Sequence, residues 1–222
     1  SDITGSNFNF GALDGTIANR NLTTSVYDRP HKISLSGTIN APFDTRFSLI
    51  YTGISGSPFT YTVANDVNGD GVGGNDEVYV PRDEGDIELV NPGADSARLN
   101  AYINGDQCLR ENRGRLLPRN SCRNPWQNLL NARLSKVFPT FGGQSVEITV
   151  DMLNVLNFLK SSWGLTRITG GFEETTLLRQ TQYDQGLARG RYVFTPPTKA
   201  AVSNVNALGS RWVFQLGARY TF

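Results

Sequence analysis

Ser210–Phe222 reads SRWVFQLGARYTF, and its alternation decides the fold. Trp212, Phe214, Leu216, Ala218, Tyr220 and Phe222 fall on one parity. Arg211, Gln215, Arg219 and Thr221 fall on the other, with Val213 and Gly217. A period of two marks a strand whose two faces meet different surroundings. The apolar face is aromatic at both ends, which fits a membrane-spanning barrel strand with a girdle at each interface. The six apolar residues are therefore expected to face lipid. Flipping the strand would put Arg211 and Arg219 there instead, at about 2–4 kcal/mol for an arginine near the midplane.

The same alternation recurs upstream. His31–Ala41 places Ile33, Leu35, Gly37, Ile39 and Ala41 on one face and Lys32, Ser34, Ser36, Thr38 and Asn40 on the other. After the short connection Pro42–Thr45, residues Arg46–Ile54 put Phe47, Leu49, Tyr51 and Gly53 outward, so the pair reads as a hairpin. Trp126–Phe138 and Ser145–Asn154 alternate as well, joined by the short Pro139–Gln144. Lys32, Arg46, Arg133, Glu147, Asp151, Arg211 and Arg219 then share the inward, lumen-facing side. Residues 1–30 read as loop, with the end of an earlier strand around Asn7–Gly11. Residues 56–125 and 158–209 are long excursions, with a short helix expected over Asp95–Gly105 from the spacing of Leu99, Tyr102 and Ile103. The first excursion looks too polar to fold on a core of its own.

Short connections alternating with very long ones match barrels with short periplasmic turns and long extracellular loops. With Phe222 in the periplasm, both long segments lie outside the cell. About five spanning strands are visible, too few to close a barrel, and an open edge in lipid leaves backbone groups unpaired. The fold class expected is all-β, a segment of a larger antiparallel transmembrane barrel. No run of 18 apolar residues exists, so a transmembrane helix is not expected, while barrel strands keep average hydropathy low. With 21 basic and 20 acidic residues, the chain lacks the charge excess of a nucleic-acid surface. The first residues lack the basic and apolar regions of a signal peptide, so the leader was removed or the chain is a piece of a longer one.

Several stretches resemble one family. YDRPHKISLSGTINAPF (27–43), SVEITVDMLNVLNF (145–158, ending in Asp151-x-x-Asn154-x-x-Asn157) and the RWVFQLGARYTF ending are similar to TonB-dependent outer-membrane receptors. The ending also resembles the C-terminal assembly signal of bacterial outer-membrane barrels. The Asp/Asn/Gly loop followed by VYVP (78–81), and the segment from Cys108-Leu-Arg to Cys122-Arg-Asn-Pro-Trp126, resemble the Oar-like subgroup. The resemblance implies a 22-stranded barrel in the outer membrane of a Gram-negative cell, plugged by an N-terminal domain and energised through the TonB complex. Neither plug nor TonB box is in this chain. The partners so implied are outer-membrane lipid, the remaining strands, the plug and, through the missing N-terminal part, TonB.

Asp66-x-Asn68-x-Asp70-Gly71, followed by Glu77, matches the calcium-loop pattern, which curls oxygen ligands around one cation. Asp76 is a possible substitute for Glu77. No helices are expected to flank the motif, and Asp/Asn/Gly loops also occur simply as solvated turns. Gly69-x-Gly71-x-x-Gly74 matches a dinucleotide fingerprint only formally, since the carboxylates around it would repel a pyrophosphate. Cys108 and Cys122 enclose thirteen residues, and a disulfide is expected over free thiols or half a metal site, since no nearby His or further Cys supports zinc. A bridge would stabilise by about 3 kcal/mol in the chain-entropy model. Arg110, Arg113, Arg115, Arg119 and Arg123 crowd the same segment, either as an anion site or as a solvated, paired loop. The single His31 faces no nucleophile, and Ser55 fails the nucleophile-elbow pattern, so no enzyme is expected. The competing reading is a secreted calcium-stabilised β-sandwich binding carbohydrate, with Trp126, Trp163 and Trp212 as stacking platforms.

Overall fold

The structure is a computed structural model that describes residues 22–69, 71–170, 173–186 and 189–222. The strand expected at Asn7–Gly11, and Asp70, lie outside these residues. Eight strands of six residues or more are described: β1 (Lys32–Ala41), β2 (Thr45–Ile54), β3 (Pro58–Ala64), β4 (Gln127–Pro139), β5 (Ser145–Leu153), β6 (Glu174–Asp184), β7 (Arg189–Phe194) and β8 (Val213–Thr221). The helices that matter below are α1 (Pro92–Gly105), α2 (Gln107–Glu111) and α3 (Val155–Leu159). The chain forms two compact units, and each is described by itself.

One unit is a five-stranded antiparallel sheet in the order β1–β2–β4–β5–β8. Its register carries whole rows of like side chains across all five strands. Ile39 lies opposite Phe47, Phe47 opposite Leu134, Leu134 opposite Val150, and Val150 opposite Leu216. The next row is polar: Thr38, Ser48, Arg133, Asp151 and Gln215. Because side chains alternate faces, one strand slipped by a single residue would break both rows. The turn between β1 and β2 is tight, with Phe43 and Asp44 at φ 62° and 53°. That between β4 and β5 relies on Gly142 and Gly143 at φ 68° and 80°, a conformation glycine adopts without a Cβ clash. Among the described residues the outer edges of β1 and β8 have no strand partner.

The last strand is shorter than the expected Ser210–Phe222. Ala207–Ser210 forms a helical turn, capped by the Asn206 side chain, which accepts from the Gly209 N–H at 3.1 Å. The other four strand boundaries agree with the alternation to within a residue or so.

The second unit gathers Ser57–Asn124 and Ile168–Asn204, and it corrects the expectation that the first excursion cannot build a core. β3 runs parallel to β6, with Thr60 opposite Glu174 and Thr62 opposite Thr176, so the two excursions share one sheet. β6 and β7 form an antiparallel hairpin, and the short strand Asp76–Glu77 pairs with β3. Tyr61, Val78, Val80, Ile103, Leu109 and Leu117 are each 0% exposed. β3 is buried on both faces over Pro58–Val63, as a strand paired on both sides inside a core requires. α1 starts on a proline in its first turn and buries Leu99 and Ile103, the residues whose spacing signalled it. A buried polar knot ties the two segments. Asn124 Nδ2 donates to Ser57 Oγ (3.1 Å) and to Thr169 Oγ1 (3.0 Å), while Thr169 Oγ1 reaches the Val202 carbonyl at 2.6 Å.

Candidate functional site

The polar face of the five-stranded sheet is built by register. Arg133 grips Asp151 on the neighbouring strand through two bonds, Nη2 to Oδ2 at 2.8 Å and Nε to Oδ1. Thr38 and Ser48 hydroxyls share a bond at 2.9 Å, and Arg46 Nε donates to Asn40 Oδ1 at 3.3 Å. Glu147 lies opposite Arg219. Gly217 lies opposite Thr149, and a Cβ there would stand 2.5 Å from Thr149 Oγ1, so glycine lets the threonine fold across the strand. Arg46, Arg133, Glu147 and Arg219, with the small polar residues between them, wall an open trough of about 640 Å³. Of the inward set, Lys32, Asp151 and Arg211 do not line the trough.

The opposite face carries the apolar rows, and they are uncovered. Leu35, Ile39, Leu134, Phe214 and Leu216 are all exposed, Leu216 to 78%. A β-sandwich would bury such a face against a second sheet. The three tryptophans do not form one stacking platform either: Trp126 stacks on His31, Trp163 lies under Lys160 Nζ at 5.4 Å, and Trp212 packs edge-on to Phe158 and Phe214. Aromatic residues collect at the two ends of the face, and the row between them is aliphatic apart from Phe47. Phe138, Phe141, Tyr220 and Phe222 stand at the short-turn end, and Trp126, Phe158, Trp212 and Phe214 at the other.

In the second unit the Asp66–Glu77 loop joins β3 to the short strand Asp76–Glu77, so strands flank it, as expected. Asp66 accepts from the Gly69 N–H (2.7 Å) and the Gly71 N–H (2.8 Å), and Asp76 Oδ2 accepts from the Val67 N–H (2.6 Å). These two carboxylates gather the loop's amides. Glu77 is engaged elsewhere, accepting from the Arg119 N–H at 3.0 Å. Asn68 lies within the loop, half-buried.

Cys108 and Cys122 are joined in a disulfide, with Cα atoms 5.5 Å apart. The bridge ties α2 to the segment that pairs with the start of β3, and Cys122 is 1% exposed. The five arginines beside it are not pooled. Arg113 donates to the Pro81 and Arg82 carbonyls and to Asn100 and Asn104 side chains, pinning α1. Arg123 pairs with Asp28, Arg110 with the Asn104 carbonyl, and Arg115 with the Glu111 carbonyl. Nearby, the Arg82 backbone N–H and the Tyr79 hydroxyl hold the Asp86 carboxyl below its usual range. Burial, then bonding to Tyr102 and the charge of Asp106, keeps Tyr61 protonated far into the alkaline range.

Two features escaped sequence reasoning. Leu177, Leu178 and Phe194 complete the second core, and the adjacent leucines were the available signal. Asn154 and Asn157 were noticed only as part of a motif, yet each organises the chain after β5, as described below.

A family model for an outer membrane beta barrel domain matches residues 1–162. The chain belongs to that family. No curated protein and no solved structure matches it. Membership places the barrel domain in the bacterial outer membrane, in contact with lipid, and accounts for an apolar face left exposed among the described residues. Strands of nine to thirteen residues suit the hydrocarbon thickness when tilted. Substituting Leu216→Arg, at mid-strand on the apolar face, is expected to cost about 2–4 kcal/mol of barrel stability. Trp212→Arg, at the aromatic end, should cost about 1 kcal/mol or less. Urea titration of the two variants in lipid vesicles checks the difference.

Proposed function

We propose that the barrel domain is the C-terminal portion of a TonB-dependent receptor of the Oar-like type, which binds or takes up a ligand with the help of a plug. The polar face then lines a wet lumen and meets the plug, while the apolar face meets lipid. The short turns lie in the periplasm. Both excursions, 56–125 and 158–209, lie outside the cell, where their shared core and disulfide suit an oxidising medium. The observation that carries this reading is the continuous polar row from Thr38 to Gln215, with charges of both signs on a wall that a narrow, side-chain-filled barrel could not hydrate. The gene upstream of Ser1 tests it. Further alternating strands, preceded by a plug domain and a TonB-binding box, are expected. A reading frame that opens with a signal peptide directly before Ser1 would overturn the reading.

We also propose that the Asp66–Glu77 loop takes calcium, with Asp66, Asn68 and Asp70 as ligands and Asp76 in the last position. The ligand spacing supports it, and the engagement of Glu77 with Arg119 favours Asp76 over Glu77. Calcium should protect residues 60–80 from protease and amide exchange, and magnesium should substitute poorly. Asp76→Ala is expected to abolish the protection and Glu77→Ala to leave it. Identical cleavage in calcium and in chelator would reduce the loop to a turn.

A further inference from the structure

The segment that follows β5 leaves the sheet but keeps its backbone satisfied. Asn154, 4% exposed and left-handed at φ 54°, takes the Asn131 Oδ1 on its N–H at 2.9 Å. Its side-chain amide donates to the Gly164 carbonyl (2.8 Å) and the Ser210 carbonyl (2.6 Å). Asn157 Nδ2 donates to the Ser161 and Trp163 carbonyls at 3.1 and 3.0 Å. Bonds of this kind let non-strand backbone lie against the hydrocarbon layer, where unmet polar groups would be costly.

What these bonds hold outward is apolar and aromatic. Phe158 is 51% exposed, Leu159 63% and Trp163 49%. Phe158 packs edge-on to Trp212 and Phe214, with ring centroids 5.5 and 6.0 Å apart, so the patch continues the apolar face of β8. Lys160 stands beside it, its ammonium over the Trp163 ring. A cation fixed at the polar margin of an aromatic patch suits a lipid whose headgroup is anionic and whose chains are apolar.

We propose that Asn154–Gly164 is an interfacial lipid platform, seated in the outer leaflet with Lys160 on a lipopolysaccharide phosphate. The choice of leaflet rests on the orientation given under Proposed function. Lipid is the occupant because the patch is continuous with the lipid-facing surface of the barrel domain, and the charge beside it is positive.

A photo-crosslinking amino acid placed at Leu159 of the full-length protein in intact cells tests this. The same probe at Phe141, in a short turn, is the control. A lipopolysaccharide adduct is expected from Leu159 and none from Phe141. Lys160→Glu should lower the Leu159 yield about fivefold, and Lys160→Arg should keep it. Lys160→Gln, with an intermediate loss, serves if the glutamate variant fails to assemble. A protein adduct at Leu159, or a yield indifferent to the charge at 160, would overturn the platform. Lipopolysaccharide captured from Phe141 instead would overturn the orientation as well, whereas no adduct at either position removes the platform alone.

Discussion

Everything in the five-stranded sheet depends on register. Five backbones are paired so that Ile39, Phe47, Leu134, Val150 and Leu216 make one row and Thr38, Ser48, Arg133, Asp151 and Gln215 the next. Such an arrangement is stable only if one side of the sheet meets an apolar medium and the other a polar one. Water on both sides would leave large exposed side chains such as Leu216 unpaid for, and lipid on both sides would strand Arg133 and Asp151. The outer membrane barrel family supplies the required asymmetry, because its strands separate lipid from an interior. The Arg133 side of the Arg133–Asp151 pair is open to solvent and screened, so its value is positional more than energetic. It pins the register of β4 against β5 at the row where a slip would be most costly.

The second unit solves a different problem. Excursions of this length need a core of their own, because loose segments would remain open to proteases. Here the two excursions join through the parallel pairing of β3 with β6, close over Tyr61 and Leu109, and are tied by the Asn124–Thr169 knot and the Cys108–Cys122 bridge. A disulfide matters most where a core is small, because it limits the unfolded chain that the core must overcome.

Period-two alternation made the sheet legible, since each strand reports its own two faces without reference to its neighbours. Leu99 and Ile103 announced α1 for the same local reason. The second core was not legible, because its apolar residues arrive one or two at a time, from Phe59 to Phe194, and only pairing across more than a hundred residues brings them together. The terminal strand was drawn too long because Trp212 continues the parity of Phe214, while the Asn206 cap, a local bond, starts a helical turn that takes up Ser210. In the calcium motif the spacing was plain, but the direction of Glu77 toward Arg119 depends on a residue forty-two positions away. Asn154 and Asn157 likewise act on carbonyls whose positions the folded chain alone determines.

The central claim is that β8 divides lipid from a polar interior, residue by residue. Single cysteines placed from Val213 to Thr221 in the full-length protein, in native outer membranes, test it most directly. Labelling with a membrane-impermeant maleimide should succeed at 213, 215, 217 and 219 and fail at 214, 216, 218 and 220, where a lipid-soluble maleimide reacts instead. Equal aqueous labelling on both parities would contradict the account.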